Sequence, residues 1–345
     1  MPKKTFLIKN SLTESKIILG EKLKNINKYL PQKKIIIITD TIVNKLYNNN
    51  FKNFDVIEIG VGEKIKSLKT ITVIIKKLLK LNADRNTFLL GVGGGVVCDI
   101  TGFVASIFMR GIKFGFVATT LLAQVDASIG GKNGVNFSGY KNTIGTFNQP
   151  QFVICDINFL KTLPKKEIYC GLGEIIKHSI ISGDNFFNYI IKNINKIKQN
   201  NLQVFYELIN LSIKLKTDIV NNDETENNKR KILNLGHTIA HAIEKQTNLS
   251  HGQAVVAGIK FTVDFSLKKQ FISKQQNIKI KNLINSLDLT NAVSVDKKLL
   301  ISSIKKDKKK NIDNLEFIFV KSIGNVFAET ISIKELNYFI KNYNF

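Results

Sequence analysis

The chain has 345 residues, enough for about two domains, and a hydrophobic fraction of 43% is sufficient for a buried core, which excludes a disordered protein. Its 51 basic and 27 acidic residues give a formal net charge of +24, as in proteins that bind nucleic acids or membrane surfaces. All but three of the basic residues are lysines spread along the chain, and only residues 305–310 resemble a cluster. We therefore expect no nucleic-acid and no membrane partner, and a basic nucleic-acid binder is the alternative from another class.

The cysteines and the N-terminus indicate a cytoplasmic protein. Cys98, Cys155 and Cys170 are odd in number and have no C-x-x-C spacing, so they predict neither a disulfide framework nor a cysteine metal site. The first residues contain no apolar run long enough for a signal peptide. Residues 88–109 have the length of a membrane span, but they contain Asp99 and three successive glycines, which favours a buried strand, a turn and a helix.

In the first half of the chain, short β-branched runs alternate with helical patterns, which is typical of a parallel sheet with crossover helices. An edge hairpin is predicted from residues 5–8 and 16–19, and an amphipathic helix from apolar residues that recur at helical spacing over 68–79. The predicted strands of the sheet are 34–39, 56–59, 87–92, 114–118 and 152–155.

After Pro164 the pattern changes to long helical periods, for example over 186–198 and 204–220. This change of period places a domain boundary near residue 156. The sequence therefore predicts an α/β, Rossmann-like nucleotide-binding domain over residues 1–155. A mostly α-helical, metal-binding domain is predicted over residues 156–345.

A glycine-rich turn follows the strand predicted at 87–92. Glycines at 93–95 would let a phosphate approach the backbone, and the helix after them would offer unpaired N–H groups. The spacing differs from G-x-G-x-x-G because Cys98 stands at the third glycine position. A tight packing turn is the alternative explanation.

Two further segments carry polar residues near predicted strand ends. Thr119 and Thr120 follow the next strand, where their hydroxyls would contact a nucleotide or cap a helix. Residues 126–134 form a glycine-rich segment that includes Asp126 and Lys132, and Lys141 and Asn142 follow it. We interpret this segment as a loop that cradles a ligand, with a solvated surface loop as the alternative.

Three of the four histidines fall within fifteen residues, at positions 237, 241 and 251. His237 and His241 would share one face of a helix, but Thr238 occupies the place of the glutamate in H-E-x-x-H, so a zinc protease is excluded. Catalytic zinc often has two histidines and a carboxylate.

The best carboxylate candidate for such a site is Glu174. It lies in an apolar segment, where an unpaired charge would be costly. A metal would explain it, and so would a salt bridge to Lys177.

Taken together, these segments resemble the 3-dehydroquinate synthase family of the sugar-phosphate cyclase superfamily, over nearly the whole chain. The shared motifs are GEKIKS at 62–67, the turn at 93–99, TTLLAQVDASIGGK at 119–132, KNTIG at 141–145, LKTLP at 160–164, EIIK at 174–177, NLGHTIAHAIE at 234–244 and HG at 251–252. Each motif alone is weak evidence. The resemblance depends on the occurrence of all of them in the order typical of the family.

The resemblance implies a carbon–oxygen lyase that converts 3-deoxy-D-arabino-heptulosonate 7-phosphate into 3-dehydroquinate and phosphate. This is a reaction of the shikimate pathway of chorismate and aromatic amino-acid biosynthesis. NAD would oxidise a ring hydroxyl, phosphate would be eliminated, the hydride would return, and ring opening with an intramolecular aldol closure would follow. A close rival is a cyclase that acts on a hexose phosphate, whose substrate lacks the carboxylate.

The resemblance also implies roles for individual residues. Zinc or cobalt would be held by Glu174, His237 and His251. The residues implied to bind NAD are Asp40, Glu63, Lys66, Gly94, Gly95, Val96, Val97, Asp99, Thr119, Thr120, Lys132, Lys141, Phe159, Leu160, Lys161 and Thr162. Those implied to bind substrate are Arg110, Lys132, Asn142, Lys216, Arg230, Asn234, His241 and Lys309, with Lys216 and Arg230 on the carboxylate. Those implied to be catalytic are Asp126, Lys132, Lys177 and His241.

Arg110 matches the family residue that reaches the phosphate site of a neighbouring subunit, so the resemblance implies a homodimer. Arg230 is another of only three arginines, and a planar guanidinium suits a carboxylate or phosphate. Four positions depart from the family pattern: Ile42 replaces a polar residue, Cys98 a glycine, Gly173 an alanine and His178 an aromatic residue.

Overall fold

The protein is described by a computed structural model over residues 1–9, 14–289, 294–307 and 313–345; for 306 and 307 only the backbone is described. The described chain divides into two compact units, residues 1–163 with 216–225, and residues 164–215 with 226–345. Residues 156–163, which the change of period assigns to the second half, pack with the first unit.

The first unit is built on a sheet of seven strands: β1 (Lys4–Lys9), β2 (Glu14–Leu19), β3 (Ile35–Asp40), β4 (Asp55–Ile59), β5 (Phe88–Gly93), β6 (Phe114–Ala118) and β9 (Phe152–Cys155). Their order is β1-β2-β9-β6-β5-β3-β4, and all neighbours are parallel except the edge hairpin β1-β2. Every residue of β5, β6 and β9 is buried, because helices cover both faces of a parallel sheet. The five predicted strands and the edge hairpin are confirmed.

Three helices of this unit connect the strands: α1 (Thr41–Tyr47), α2 (Leu68–Lys80) and α3 (Gly95–Ile107). α2 confirms the helix predicted over 68–79, since Ile71, Ile74 and Leu78 are buried on one side of it. α3 starts directly after β5 and has mostly buried residues. The first unit therefore has the strand, turn and helix that residues 88–109 predict.

Only residues 128–131 of the predicted loop at 126–134 lie outside helix and strand. A π-helix, Ala123–Ala127, leads into an antiparallel hairpin of β7 (Lys132–Phe137) and β8 (Tyr140–Phe147). The glycines at 134 and 145 are opposite each other in this hairpin, so they serve strand pairing. Glycine has a low propensity for β-strands, so the sequence pattern of residues 126–134 indicates a loop.

The second unit is largely helical: α4 (Lys165–Ser182), α5 (Asp184–Lys192), α6 (Ile194–Lys198), α7 (Leu202–Asn222), α8 (His237–Glu244), α9 (His251–Lys268), α10 (Lys274–Ser286), α11 (Lys297–Asp307) and α12 (Ile333–Asn342). The last residues of α7 belong to the first unit. The helical period over 186–198 is broken, because Asn193 has φ −118° and ψ 15° and separates α5 from α6. This unit also contains a hairpin that was not predicted, β10 (Asn314–Ser322) with β11 (Asn325–Ser332).

Two close helix contacts organise the second unit. A Cβ built on Gly173 of α4 would lie 2.3 Å from the carbonyl oxygen of Gly252 in α9, and one on Gly252 would lie 2.0 Å from that of Cys170. A Cβ built on Gly258 of α9 would lie 2.1 Å from the carbonyl oxygen of Gly236. Glycine thus lets the start of α9 approach α4 and the turn before α8.

In the described parts of the chain, no helix has both the length and the apolar character needed to cross a membrane.

Candidate active site

Three candidate metal ligands converge in the second unit. The Oε1 atom of Glu174 lies 3.2 Å from Nε2 of His251 and 3.6 Å from Nε2 of His237. Each of the three residues offers one ligand atom, and these three atoms all lie within 4.8 Å of one another. Two imidazoles and a carboxylate are a donor set that catalytic zinc uses, with a further position for water or substrate. The residues present therefore fit such an ion.

Local structure positions each member of this set. Glu174 lies on α4 and is fully buried. His237 is the first residue of α8 after Gly236, whose φ of 79° gives the chain the left-handed turn that starts the helix. His251 is the first residue of α9, where Ser250 and Gln253 form a capping box. Gly173 lies close to Gly252. This contact brings Glu174, which follows Gly173, near His251, which precedes Gly252.

Lys177 forms an ion pair with the second carboxylate oxygen of Glu174, one turn further along α4. The sequence left open a salt bridge or a metal as the reason for a buried Glu174. The structure has the salt bridge on Oε2, while Oε1 faces the two histidines. The two explanations are compatible because each uses a different oxygen.

The pKa values of the two histidines are shifted in opposite directions. Burial, with Lys177 nearby, holds the pKa of His237 well below its usual value of 6.5. Burial also disfavours the charged form of His251, but its hydrogen bonds to Glu174 and Glu244 outweigh this effect and raise its pKa to about 9. In His251, Nδ1 lies 3.1 Å from Oε1 of Glu244. In His237, Nδ1 lies 3.2 Å from the carbonyl oxygen of Leu235.

Three more predicted site residues lie in the same unit. The ring centroid of His241 is 5.3 Å from that of His237 and 6.5 Å from that of His251. Asn234 is exposed and donates a hydrogen bond to Glu226. Arg230 is buried at 2% exposure, where a guanidinium is costly unless polar or anionic groups surround it.

In the first unit, the glycine-rich turn lies at the carboxyl end of the sheet, where open α/β sheets bind ligands. β3 and β5 are parallel neighbours at the point where the order of successive strands in the sheet reverses, so the end of β3, at Asp40, lies beside the turn. Gly94 caps α3 without a side chain, so the first N–H groups of that helix have no side-chain partner at the cap. The glycines are also needed for packing, since a Cβ on Gly95 would lie 2.9 Å from Cβ of Ala127.

Lys66, Asp99 and Asn142 meet near this turn. Lys66 is 5% exposed and forms an ion pair with Asp99, and its Nζ lies 2.5 Å from Oδ1 of Asn142. Burial raises the pKa of Asp99, and the charge of Lys66 acts in the opposite direction. The structure thus brings together two residues predicted to bind NAD and one predicted to bind substrate.

A second ion pair joins Asp126 and Lys216, with Nζ 2.6 Å from Oδ1. Lys216 is buried and reaches Asp126 from the end of α7, the part of that helix that belongs to the first unit. Thr120 accepts a hydrogen bond from the amide of Ala123 at 3.1 Å, which is the helix-capping role that the sequence left open, and Thr119 is buried.

The remaining predicted NAD contacts of the first unit have structural partners. Asp40 caps α1 by accepting from the amides of Ile42 and Val43. Glu63 accepts a hydrogen bond from the side chain of Asn136 at 2.7 Å. The residues of the last predicted contact segment form a 3-10 helix, Ile157–Lys161, and the turn after it, where the hydroxyl of Thr162 lies 2.8 Å from that of Tyr47.

Four predicted residues lie at the surface or outside the described chain. Lys132 begins β7 and Lys141 lies in β8, and both are exposed. Arg110 is exposed after the end of α3 and has a left-handed backbone with φ 66°. Lys309 lies outside the described residues.

Glu244 has no role predicted from the sequence, although it is the last residue of the motif at 234–244. Glu244 hydrogen-bonds His251, and its position seven residues before that histidine is no recognised spacing. Asn136 was missed for the same reason, since its contact with Glu63 spans distant parts of the chain.

Comparisons with known proteins agree with this geometry. A family model described as 3-dehydroquinate synthase N-terminal matches residues 56–170, and one described as 3-dehydroquinate synthase C-terminal matches residues 171–310. The 3-dehydroquinate synthase of Pelagibacter ubique (strain HTCC1062) is 39% identical over 353 aligned positions, which cover 96% of each chain.

Two solved structures are similar in fold. That of 2-deoxy-scyllo-inosose synthase complexed with carbaglucose-6-phosphate, NAD+ and Co2+ has a TM-score of 0.89 and 22% identity, and covers 99% of this chain and 100% of that one. That of ValA, a 2-epi-5-epi-valiolone synthase from Streptomyces hygroscopicus subsp. jinggangensis 5008 with NAD+ and Zn2+, has a TM-score of 0.86 and 19% identity, and covers 98% of each chain.

Proposed function

The chain belongs to the 3-dehydroquinate synthase family, and on that premise we propose that it converts 3-deoxy-D-arabino-heptulosonate 7-phosphate into 3-dehydroquinate and phosphate. Its relationship to 3-dehydroquinate synthases extends over 96% of the chain. The observation that carries the proposal is the convergence of Glu174, His237 and His251, because the chemistry requires a Lewis acid at a ring hydroxyl.

We propose that Glu174, His237 and His251 hold zinc or cobalt. When bound, the ion polarises the substrate hydroxyl and lowers the barrier to its oxidation. The ammonium of Lys177 compensates the charge of the buried Glu174 and joins the polar groups near the reacting carbons. The solved relatives with Co2+ and with Zn2+ support this choice of metals.

NAD is the proposed electron acceptor, and it takes the hydride and later returns it. The N-terminus of α3 supplies N–H groups and a positive dipole end for the pyrophosphate, next to the glycines at 94 and 95. Asp40 is the last residue of β3 and lies beside this turn, as expected of a residue that contacts the nucleotide. Two solved relatives bind NAD+, which supports the assignment.

The substrate has two anionic ends, and the proposed cations and amides are divided between them. Lys132, Asn142, Asn234 and His241 would bind the phosphate, and Lys309 would join them. Lys216 and Arg230, both buried, would bind the carboxylate. In the structure Lys216 pairs with Asp126, so that carboxylate holds the ammonium in position for the substrate. Asp126, Lys132, Lys177 and His241 are the proposed catalytic residues.

A cyclase acting on a hexose phosphate is the rival activity, since 2-deoxy-scyllo-inosose synthase shares the fold. A substrate of that kind has no carboxylate to pair with Lys216 and Arg230. Phosphate release from the heptulosonate phosphate, with NAD and zinc present, therefore tests the proposal. Release from glucose 6-phosphate but not from the heptulosonate phosphate would contradict it.

The metal set has its own test. We expect Glu174→Ala and His251→Ala to remain folded but to bind little zinc and to show no turnover. Zinc content after dialysis, far-UV circular dichroism and phosphate release measure these effects. Glu316→Ala, which removes an exposed carboxylate of the same unit, is the matched control. Full turnover by a metal-free protein would refute the ligand set.

The proposed enzyme is a cytoplasmic homodimer in which Arg110 reaches the phosphate site of the neighbouring subunit. The exposed position of Arg110 supports this role. Arg110→Ala and His251→Ala should each be inactive, and mixing the two inactive proteins should restore part of the turnover. No recovery in a mixture shown to contain mixed dimers would contradict a shared site. We also propose that residues 1–155 hold most of the NAD contacts and that residues 156–345 hold the metal ligands and most of the substrate contacts.

A further inference from the structure

We propose that Glu244 is a positioning residue that fixes the ring of His251 for metal binding, an inference that rests on the proposed function. The ring of His251 lies between two carboxylates. Its Nε2 is 3.2 Å from Glu174, and its Nδ1 is 3.1 Å from Glu244. The two ring nitrogens point in different directions, so Glu244 occupies the nitrogen that faces away from the proposed ion.

Each ring nitrogen of His251 faces a carboxylate, and a carboxylate accepts hydrogen bonds, so both nitrogens donate in this structure. When an ion takes the place of the proton on Nε2, the proton on Nδ1 remains and is donated to Glu244. Histidines that bind metals usually donate their other N–H to a carboxylate or a carbonyl group, which orients the ring and raises its basicity. Glu244 therefore orients the ring of His251 and keeps the proton on Nδ1 when Nε2 binds a metal.

His237 provides an internal comparison. Its Nδ1 lies 3.2 Å from the carbonyl oxygen of Leu235, and its Nε2 faces Glu174 at 3.6 Å. Both histidines thus present the same nitrogen to the same carboxylate oxygen. For His237 the main chain holds the ring and substitution cannot remove the contact, whereas for His251 a side chain holds it and can be replaced.

Glu244 itself is placed to orient and not to ligate. It is the last residue of α8, the helix that begins with His237, and it is not a member of the group formed by Glu174, His237 and His251. Its side chain is 7% exposed. A carboxylate this buried is costly without hydrogen bonds, and the imidazole N–H supplies one. One short helix therefore provides a ligand at its first residue and the partner of another ligand at its last.

The test compares zinc affinity of metal-free wild type, Glu244→Ala and Glu244→Gln by competition with a chromophoric chelator. We expect Glu244→Ala to bind zinc about 10- to 100-fold more weakly. Glu244→Gln keeps an oxygen that accepts from Nδ1 but loses the charge, so we expect a smaller loss. Glu329→Gln removes an exposed carboxylate of the same unit and should bind zinc as wild type does.

A second readout separates positioning from a general loss of structure. With only four histidines in the chain, their ring nitrogens can be resolved by 1H–15N correlation spectra. In the zinc-loaded wild type we expect His251 as the Nδ1–H tautomer, and in Glu244→Ala we expect a mixture of ring states. Far-UV circular dichroism checks the fold, and Glu244→Gln serves as the test if the alanine variant does not fold.

The outcomes distinguish this inference from the proposed function. If Glu174→Ala loses zinc while both Glu244 variants bind it within about two-fold of wild type, the role of Glu244 is wrong and the metal set stands. If Glu174→Ala binds zinc as wild type does, the metal set itself is wrong, and the proposed function fails with it.

Discussion

At the residue scale, Gly173 shows how one missing methyl group shapes the candidate metal site. The family usually has alanine at this position, yet a Cβ here would lie 2.3 Å from the carbonyl oxygen of Gly252 and 2.5 Å from its Cα. Backbone atoms cannot move aside as a flexible side chain can. The close approach of α4 and α9 in this chain therefore requires glycine at position 173.

Gly173→Ala should force these two helices apart. We expect a loss of about 1–3 kcal/mol in the free energy of unfolding, the usual effect of overpacking, and weaker zinc binding because Glu174 and His251 flank the contact. Urea unfolding and chelator competition measure the two effects. Ser182→Ala, an exposed change at the end of α4, is the control. Unchanged stability would mean that the helices are not held this closely.

Glu21 makes the stability of the first unit depend on pH in the acid range. Hydrogen bonds from Asn25 and Tyr29 lower the pKa of this carboxyl from 4.5 to about 2. Because the folded-state pKa is depressed, the stabilisation is present in full above about pH 4.5 and is lost as the pH falls toward 2.

We expect Glu21→Gln to lower the free energy of unfolding by about 1.5 kcal/mol at pH 7, and the difference from wild type to vanish near pH 2. Denaturant unfolding across this pH range measures it. Glu14→Gln, which removes an exposed carboxylate, should change little. A difference that grows toward acid pH would contradict the assignment.

Residue types could be predicted better than residue contacts. The scarcity of histidine directs attention to positions 237, 241 and 251, but spacing alone does not bring Glu174, 63 residues before His237, into the group. Its apolar surroundings made Glu174 a candidate, with a salt bridge as the alternative, and the family resemblance then implied the full ligand set, whose metal role stays a prediction. The Glu244 contact depends on the turn between α8 and α9, for which the sequence has no recognised signal.

At the scale of elements, the first sheet was predictable because its central strands are buried on both faces. Such strands are continuous runs of apolar and β-branched residues, as in β5, β6 and β9, and their ends were located within about one residue. Hairpin β7–β8 was missed because glycine and asparagine weaken its strand pattern. In β10, apolar residues alternate at 315, 317 and 319, so a signal was present and was overlooked in a segment interpreted as helical.

Helix α9 links the proposed metal ligand His251, at its first residue, to an aromatic cluster near its end. Phe261 stacks on Phe345 at 5.7 Å, and Asp264 accepts a hydrogen bond from Tyr343 at 3.1 Å. Burial and the charge of Asp264 raise the pKa of Tyr343, so this hydroxyl is a donor at neutral pH.

Tyr343→Phe should reduce the free energy of unfolding by about 1 kcal/mol. The loss stays modest because Lys281 and Asn277 also donate to Asp264. Urea unfolding tests this value. The control is Tyr338→Phe, since Tyr338 is 70% exposed. Equal effects of the two substitutions would show that the Asp264 bond does not stabilise the fold.

At the scale of the whole molecule, the net charge of +24 acts mainly through repulsion. A compact protein with so many lysines should gain stability when salt screens them. We expect the melting temperature to rise between about 0.05 and 0.5 M NaCl, where the screening length falls well below 10 Å. Sucrose controls for general solvent effects, and a melting temperature that falls with NaCl would contradict repulsion as the dominant effect.

The return of residues 216–225 to the first unit has a consequence for synthesis on the ribosome. Lys216 pairs with Asp126, and Asn221 bonds the backbone of β1 at Lys9 and Leu7, so the first unit is incomplete until these late residues have emerged. By then residues 164–215, which belong to the other unit, have already been translated. A nascent chain that ends at Leu163 would contain the sheet but lack the segment that completes the first unit. The two units therefore cannot complete their folding strictly one after the other.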